Sequence, residues 1–445
     1  MSQSAAGPPA AQSATATAPA PAPAPAGRPA VVVPAGQSAV AVPTSTEQPS
    51  LTPRRLRQLM VALVVGALLF GVLGAVGLGL QAYALGKADE NTAQLIRVQE
   101  IQTNLLTADA TATNAFLVGG LEPPAQRETY DNAISTVNRL IVDASDAQPA
   151  DAEVLQALNT QVNLYTVAIE EARANNRQGF PVGAQYLREA SAQLRTDALP
   201  ILDNLVAANT ERADREMAAT HPLLFQIAGV MILIGYVLAM IWLARRFKRT
   251  INVGVLIAGI TLLLSLIIGG IVVSATGSTV NGLRGGDFTN VTAAAEARIE
   301  AGDAKSNESL TLIARGSGAA FEKAWQESSA EVANQLQELR VADLTRSWTA
   351  YNAVHAEIRK LDDNGSWDEA VAVATGTGAN TSNQTFNAFD AALATYISDT
   401  AQDTRSGLNG PGVALIIGAG LIFAGGIVAA AFARRGVAVR LREYQ

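Results

Sequence analysis

Four long apolar segments without a charged residue dominate the pattern of hydrophobic and polar positions. They cover residues 59–80, 223–244, 251–273 and 412–433. The hydrocarbon core of a bilayer is about 30 Å thick, and a helix needs about 20 apolar residues to cross it. The runs are continuous, whereas the strands of a closed barrel would alternate apolar and polar positions. The pattern therefore predicts four transmembrane helices.

Between the first and second spans, and again between the third and fourth, the period becomes that of an amphipathic helix. In the first of these loops, apolar residues recur at spacings of three and four, at Val98, Ile101, Leu105, Ala108, Ala112 and Ala115 and again at Leu194, Ala198, Ile201, Leu205 and Ala208. The second loop keeps this spacing at Leu344, Trp348, Tyr351, His355 and Ile358. Such a stripe is typical of a helix bundle or coiled coil.

Glycines and prolines divide the loops into helices. In the first loop the breaks fall at residues 119–124, at Pro149 and at residues 179–181, which leaves four helices. We expect the first helix to continue out of span one and the fourth to continue into span two, with a kink at Pro200. In the second loop the breaks fall near residues 315–318 and 364–365.

The two halves of the chain match directly at a constant offset. Tyr165, Glu171 and Arg173 correspond to Tyr351, Glu357 and Arg359, and the glycines at 179 and 365 continue the match without a gap. Together with the repeated order of span, loop and span, this match favours an internal duplication.

The sequence thus predicts an all-α membrane protein with four transmembrane helices and two extracytoplasmic four-helix bundles in tandem. The expected parts are a disordered Pro/Ala-rich tail (1–53), span one (54–82), bundle one (83–221), span two (222–244), a link (245–250), span three (251–274), bundle two (275–411), span four (412–433) and a basic tail (434–445).

Positive charges flank the spans on one side and predict the orientation, because flanking Lys and Arg remain in the cytoplasm. The clusters are Arg54, Arg55 and Arg57 before span one, Arg245, Arg246, Lys248 and Arg249 between spans two and three, and Arg434 and Arg435 after span four. We therefore expect a multi-pass protein of the cell membrane with both termini in the cytoplasm. The two outer loops carry 10 basic and 19 acidic, and 10 basic and 18 acidic residues, so the acidity of the chain belongs to them, whereas the rest of the chain is basic.

A cleaved signal peptide is the alternative for the first span, since Ala82-Tyr83-Ala84 has the form of a cleavage site. The apolar run is longer than the 7–15 residues of a signal-peptide core, which favours a permanent span.

Composition excludes several classes of function. The chain has no cysteine and two histidines, His221 and His355, so thiolate sites are excluded and a histidine metal site is not expected. No spacing brings catalytic groups together, and we expect neither an enzyme nor a cofactor, nor nucleic acid as a partner. The expected cytoplasmic segments are too short for an enzymatic domain, so a partner would have to supply any output there.

The repeated residues are the candidates for a ligand or partner surface: Tyr165, Glu171, Arg173, Tyr351, His355, Glu357 and Arg359. The alternative is repeated bundle architecture with solvated charges, and for His355 a buried, hydrogen-bonded core position. Small residues at every fourth position, from Ala67 to Gly79, with a shorter stripe at Gly420 and Ala424, permit close helix packing in the spans. The alternative, which the sequence leaves equally open, is the ordinary use of glycine in membrane helices.

The unit of span, bundle and span resembles the ligand-sensing half of bacterial chemoreceptors and sensor kinases, in the segments 114–120 and 186–202. The tandem arrangement with its Pro/Ala-rich tail resembles the GlnX-type family of actinobacterial membrane proteins. This resemblance implies sensing of amino-acid availability, with a GlnH-like solute-binding lipoprotein outside and a PknG-like serine/threonine kinase inside. The resemblance does not indicate which residues of this chain would bind a ligand or a partner.

Three functions are therefore compatible with the sequence: a transmembrane signalling receptor, a cell-envelope scaffold or assembly factor, and a channel or transporter subunit. The spans contain no ionisable residue, which transporters usually place there, so the receptor is favoured over the transporter. All three imply membrane lipid as a partner, and a homo-oligomer is possible for each.

Overall fold

The computed structural model describes residues 51–118, 122–178, 182–219, 223–247 and 252–442. Helix α1 begins at Leu51, so residues 51–53 of the expected tail belong to a helix. The rest of that tail lies outside the described residues, as do the breaks expected at 119–120 and 179–181, His221, Lys248, Arg249 and residues 443–445.

Helices make up nearly all of the described chain. They are α1 (Leu51–Val118), α2 (Pro124–Ala147), α3 (Ala152–Arg177), α4 (Val182–Gln193), α5 (Leu199–Ala218), α6 (Leu223–Phe247), α7 (Val253–Gly285), α8 (Asp287–Ile313), α9 (Ala319–Leu339), α10 (Ala342–Asp363), α11 (Trp367–Thr375) and α12 (Ser382–Arg442). A short 3₁₀ turn (Pro149–Asp151) precedes α3, and a π-helical turn (Leu194–Ala198) joins α4 to α5. None of the described residues lies in a strand, which confirms the all-α prediction.

Four helical segments are long and apolar enough to cross a membrane, which confirms the four predicted spans. They lie within Arg54–Val118, Gln226–Arg246, Val253–Ile313 and Ser382–Arg442. The first and fourth of these are single helices, α1 and α12, that run from a span far into a loop without interruption. The third is interrupted once, at Gly286, between α7 and α8.

Helix α12 runs antiparallel to α1 and packs against it along most of its length. Within the spans, the backbones meet where Gly71 faces Gly426. At the opposite end, about 60 Å along the helix at 1.5 Å per residue, the Asn383 Nδ2 amide donates to Oδ1 of Asn114 over 3.0 Å. One seam therefore extends from the membrane to the far ends of the loops.

A second seam joins α12 to α7 and α8. At the membrane end, Asn252 caps α7 by accepting from the backbone N–H of Val255, and its amide donates to the Gly436 carbonyl at 2.9 Å. In the loops, Arg298 of α8 forms two hydrogen bonds to the carboxylate of Asp390. Helix α12 therefore holds both halves of the chain together, because it contacts the first long helix of each.

The first loop folds into a four-helix arrangement of the membrane-distal part of α1 with α2, α3 and the α4–α5 pair. Most of the predicted seam residues lie in its core, and Tyr165 is its largest fully buried side chain. Ile201 and Ala208 are only half-buried, whereas Leu202 and Asn209 next to them are fully buried, so the seam of the last helix was predicted one residue too early there. The distortion predicted at Pro200 takes the form of the π-helical turn at residues 194–198, directly before α5. Proline lacks the backbone donor that a regular helix needs at this point.

The second loop forms a comparable arrangement from α8, α9, α10 and the first part of α12, with the short α11 beside it. Aromatic rings fill its core: Trp348 lies 4.9 Å from Tyr351 and 4.8 Å from Phe389, centroid to centroid. Such tilted aromatic pairs add to the free energy gained from burial alone. The breaks expected near residues 315–318 and 364–365 coincide with the ends of α8 and α10.

Two sequence expectations differ from the structure. Helix α5 ends at Ala218 and α6 begins at Leu223, so the fourth helix of the first loop does not continue into span two as one helix. The prediction that Gly420 and Ala424 form the packing face of span four was also wrong. Both residues face away from the other helices, and Gly426 makes the contact. Sequence spacing identifies a face of small residues but not which of two such faces meets a partner.

The contact between Gly71 and Gly426 provides a test of span packing. A Cβ atom at Gly426 would lie 2.8 Å from the Gly71 Cα atom and from the Ala67 carbonyl oxygen, whereas a Cβ at Gly420 meets nothing within 4 Å. We expect Gly426→Leu to lower the free energy of unfolding in detergent by about 1–3 kcal/mol, because the backbones must separate. Gly420→Leu is the matched control and should change it by less than about 0.5 kcal/mol. Equal stability of the two variants would show that the helices do not approach here.

Candidate functional site

The part of α8 that lies between the two bundles is buried on all sides. Every residue in the range 304–312 is buried, although this range includes Lys305, Ser306, Asn307 and Glu308. An ordinary bundle helix buries one apolar stripe and exposes the rest. Because polar groups buried without partners are costly, each of these side chains has to be paired within the protein. The pairs that result form two clusters, one centred on Asp109 and one on Glu308.

The first cluster surrounds the carboxylate of Asp109 on α1, which is fully buried. Four side chains donate hydrogen bonds to it: Tyr165 Oη at 3.3 Å, Ser191 Oγ at 2.6 Å, Arg195 Nη1 at 3.0 Å and the hydroxyl of Ser306. Two carboxylate oxygens have about four acceptor positions, so the group is saturated. Three of the donors come from the first loop and Ser306 comes from the second.

Arg195 connects this cluster to the second bundle. Its Nη1 group binds Asp109, and its Nε group donates to Oδ1 of Asp303 on α8 at 2.8 Å. Burial disfavours the charged guanidinium, but the two carboxylates outweigh burial and raise the pKa of Arg195. Arg195 lies within the π-helical turn, a type of irregularity that is frequent at functional sites.

The second cluster surrounds Glu308 of α8, which is also fully buried. Lys305 Nζ donates to its Oε1 atom at 2.8 Å, the hydroxyl of Ser382 donates to the same oxygen, and His355 Nδ1 lies 3.0 Å from Oε2. Burial alone would raise the pKa of Glu308, but the positive charges of Lys305 and His355 lower it to about 2. Glu308 is therefore a carboxylate at physiological pH.

His355 lies between two carboxylates and beneath an indole ring. Its Nδ1 atom faces Glu308, and its Nε2 atom lies 3.3 Å from Oε2 of Glu322. The imidazole ring stacks on Trp325, with the ring centroids 3.5 Å apart. Burial lowers the pKa of the imidazole, but the hydrogen bonds and charges of Glu308 and Glu322 outweigh this effect and raise it. Protonation of His355 is therefore favoured by its surroundings.

The two clusters share one plan. Each has a buried carboxylate on the first long helix of its loop, Asp109 or Glu308, and a buried tyrosine on the third, Tyr165 or Tyr351. These tyrosines are the residues that correspond in the sequence match. Burial raises the pKa of both phenols, so each hydroxyl remains protonated and able to donate. This correspondence in three dimensions supports the duplication.

The seven candidate residues of the sequence match do not form one surface. Tyr165, Tyr351 and His355 lie inside the bundles, whereas Glu171 and Glu357 are exposed. These positions follow from the helical period. Glu171 and Arg173 are two residues apart, as are Glu357 and Arg359, so the two members of each pair point to different sides of the helix.

The two arginines of the match lie in ion-pair networks at the membrane-distal ends of the bundles. Arg173 is buried over the ring of Tyr130 and pairs with Glu122 at 2.8 Å and with Glu170 at 2.9 Å. Arg359 is half-buried and pairs with Asp362 and Asp363. Its Nε atom also lies 3.4 Å from Oε2 of Glu322. The first of these networks lies apart from Asp109, and the second touches the His355 cluster through Glu322.

Sequence reasoning missed Asp109, Arg195, Asp303 and Glu308, which hold the clusters together. A signal was available for two of them: Asp109 follows the seam residue Ala108, and Arg195 follows the seam residue Leu194. A charge next to a seam position is buried only if a second surface covers the helix there. That second surface is the other bundle, which lies far away in sequence.

The arrangement can transmit a displacement, because charge-assisted hydrogen bonds connect the two bundles through buried groups. The carboxylates are occupied by protein donors, and among the described residues no group of three or more acidic or histidine side chains is arranged to hold a metal ion. The described arginines of the basic clusters lie at the opposite ends of α1, α6 and α12. The clusters and the basic ends are thus joined by the long helices.

Comparison with known proteins gives one match, to the first loop. Residues 84–218 match the family model of an actinobacterial sensor domain. No curated protein and no solved structure matches the chain. The match covers α2 to α5 and the distal part of α1, which includes Asp109, Tyr165 and Arg195. It indicates a sensing role for this loop, and together with the four spans it describes a membrane-bound sensor.

Removal of the connecting arginine tests the inter-bundle cluster. We expect Arg195→Met to lower the free energy of unfolding by about 3 kcal/mol, because Asp109 is left as a buried charge without a cationic partner. Arg188→Met is the control, since Arg188 is half-buried and its Nη2 group bonds to Gln185 and to no carboxylate among the described residues. The measurement is denaturant unfolding in detergent micelles, followed by circular dichroism. Similar losses in both variants would contradict the role of Arg195.

The raised pKa of His355 predicts a pH dependence of stability. A group whose pKa is higher in the folded state stabilises the fold fully below its unfolded value, 6.5, and loses this effect as pH rises through the folded value. We expect the wild-type protein to lose stability relative to His355→Gln as the pH rises above 6.5, as measured by thermal unfolding. Glu322→Gln should weaken this dependence because one of the two carboxylates is neutralised. A difference that stays constant as the pH rises would mean that folding does not shift the pKa of His355.

Proposed function

We propose that this protein is a transmembrane signalling receptor that relays an extracytoplasmic nutrient signal to a protein in the cytoplasm. The observation that carries the proposal is the continuity of α1 and α12, which are 68 and 61 residues long. Helix α1 connects the sensor-like loop, and α12 the second loop, to the inner ends of the spans. A helix of 68 residues is about 100 Å long at 1.5 Å per residue. A rigid element of this length can carry a small axial shift or rotation across the membrane.

The relay rests on two packing arrangements of the same helices. Asp109, Arg195 and Asp303 join the bundles, and the glycine contacts of α12 join the spans, so a shift of α1 has to be accommodated by α12. A partner that binds one arrangement more tightly shifts the population towards it. The break at Gly286 gives α7 and α8 a point at which they can change angle relative to each other.

The orientation belongs to the proposal. With the arginine clusters in the cytoplasm, both loops face outward and the ends of α1, α6 and α12 face inward. Arg434 and Arg435 are exposed at the inner end of α12, where a partner can reach them.

The proposed partners follow from the likeness to GlnX-type proteins. Outside, the signal comes from a GlnH-like solute-binding lipoprotein that reports amino-acid availability. Inside, the recipient is a PknG-like serine/threonine kinase. Of the residues repeated in the two loops, Glu171 and Glu357 are exposed and are available as contact positions for the outer partner.

The test is site-specific photo-crosslinking in cells of the source organism. A photoreactive residue placed at Glu171, at Glu357 or at Arg435 reports contacts at the two outer loops and at the inner end, and each product is identified by mass spectrometry. The receptor predicts a solute-binding lipoprotein at one or both outer positions, a kinase at Arg435, and a kinase yield that changes when amino acids are withdrawn. Envelope-assembly proteins alone would favour the scaffold, and subunits of a permease alone would favour the transporter. Either result would contradict the relay.

A further inference from the structure

A groove with a volume of about 800 Å³ lies between α1, α8 and α12, in the half of the loops nearer to the membrane. This volume is within the range of sites that bind small molecules. Its walls come from both bundles, and α12 forms one side of it. The side chains that decide what the groove can bind belong to α1: Arg97, Gln99 and Glu100.

Arg97 is the cation in the groove that has no carboxylate partner among the described residues. Its one side-chain hydrogen bond there joins Nη1 to Oε1 of Gln94, at 3.4 Å, and both atoms belong to the same helix. The two other guanidiniums in the groove, those of Arg298 and Arg405, each form two hydrogen bonds to an aspartate. A half-buried guanidinium without a counter-charge attracts anions.

Gln99 adds a hydrogen-bond donor to the lining of the same groove. The residue is 3 % exposed, and its Nε2 group has no acceptor among the described residues. A buried donor left without a partner costs about 1–3 kcal/mol, so an acceptor supplied from outside the chain would be bound favourably. Because residues two apart on a helix point to different sides, Arg97 and Gln99 lie at the two edges of the α1 wall of the groove. A ligand that spans this wall, with its anionic group on Arg97 and a second acceptor at Gln99, satisfies both groups.

A second groove of about 750 Å³ between α1, α5 and α8 shows the contrast in charge. It is lined by the carboxylates of Asp203, Glu211, Asp214, Glu296 and Glu300 and by no Lys or Arg among the described residues. An anion is therefore repelled from the α5 side of the α1–α8 contact and attracted to the α12 side. In the groove at Arg97 the one lining carboxylate among the described residues is that of Glu100, so this groove accepts an anion more readily than the acidic groove does.

Lipid headgroups do not reach Arg97, although the groove extends down to Asn409, three residues before the fourth apolar run. Arg97 lies 17 residues after Leu80, the last residue of the first apolar run, and α1 is a continuous helix between them. At 1.5 Å per residue this separation is about 25 Å, which is beyond the headgroup layer of a bilayer. A ligand therefore enters from the aqueous side of the loops.

We propose that the groove between α1, α8 and α12 binds a small soluble molecule through a carboxylate or phosphate group, with Arg97 holding the negative charge and Gln99 donating a hydrogen bond. The site does not depend on the proposed relay or on its partner proteins. Since its walls come from α1, α8 and α12, an occupied groove bridges the two bundles and favours the packing in which they are close.

The test is isothermal titration calorimetry of the full chain in detergent, with succinate and inorganic phosphate as the two probes. We expect saturable binding of at least one probe. Arg97→Gln should weaken that binding by about 10-fold or more, since a charged hydrogen bond contributes about 1.5–3 kcal/mol. Arg139→Gln, which removes an exposed arginine of α2 outside the groove, is the matched control and should bind as the wild type does.

Gln99→Leu provides a second readout that a merely structural glutamine would not give. The variant should bind the probe more weakly and should also raise the melting temperature of the ligand-free protein, because a buried donor without an acceptor is removed. A lowered melting temperature would mean that the amide has a partner within the fold and would overturn the proposal. So would the absence of saturable binding at millimolar concentrations of both probes, as expected if only water occupies the groove, or unchanged affinity in Arg97→Gln.

Discussion

The structure depends on one constraint: three long helices have to pack side by side both in lipid and in water. In lipid there is no hydrophobic force between apolar helices, so α1, α7 and α12 approach through small residues, Gly71 against Gly426 and Gly254 against Gly436. In water the same helices are held by apolar seams and by paired charges. Because α12 crosses both regions without a break, its register in the membrane and its register in the loops cannot be chosen independently.

The buried charges are the second consequence of this packing. Ion pairs in a protein interior add little net stability compared with apolar residues of similar size, since desolvation offsets most of the attraction. They do penalise every arrangement in which a partner is missing. Asp109, Arg195 and Asp303 can all be satisfied only when the bundles lie in one register. The network therefore specifies how the bundles are joined. A sensor that works by changing this arrangement would start from one defined packing of the two bundles.

Much of the fold was accessible from the sequence. Apolar length identified the spans, and the period of three to four residues identified the helices of the loops, because both are local properties of one helix in its solvent. The match between Tyr165 and Tyr351 indicated a duplication, and both residues occupy equivalent core positions. The interruption between α5 and α6 and the outward direction of Gly420 were not foreseen, since each depends on neighbouring elements rather than on the segment itself.

The candidate site shows where sequence reasoning reaches its limit. The sequence alone determined that the chain is helical, that it has four spans and that its loops are amphipathic, because backbone hydrogen bonding and burial in lipid allow few alternatives. Only the tertiary structure decided that Asp109 and Glu308 are buried and that Arg195 joins two bundles. A polar residue beside a seam is exposed in a single bundle and buried in a pair, so its role depends on a surface more than 100 residues away in the chain.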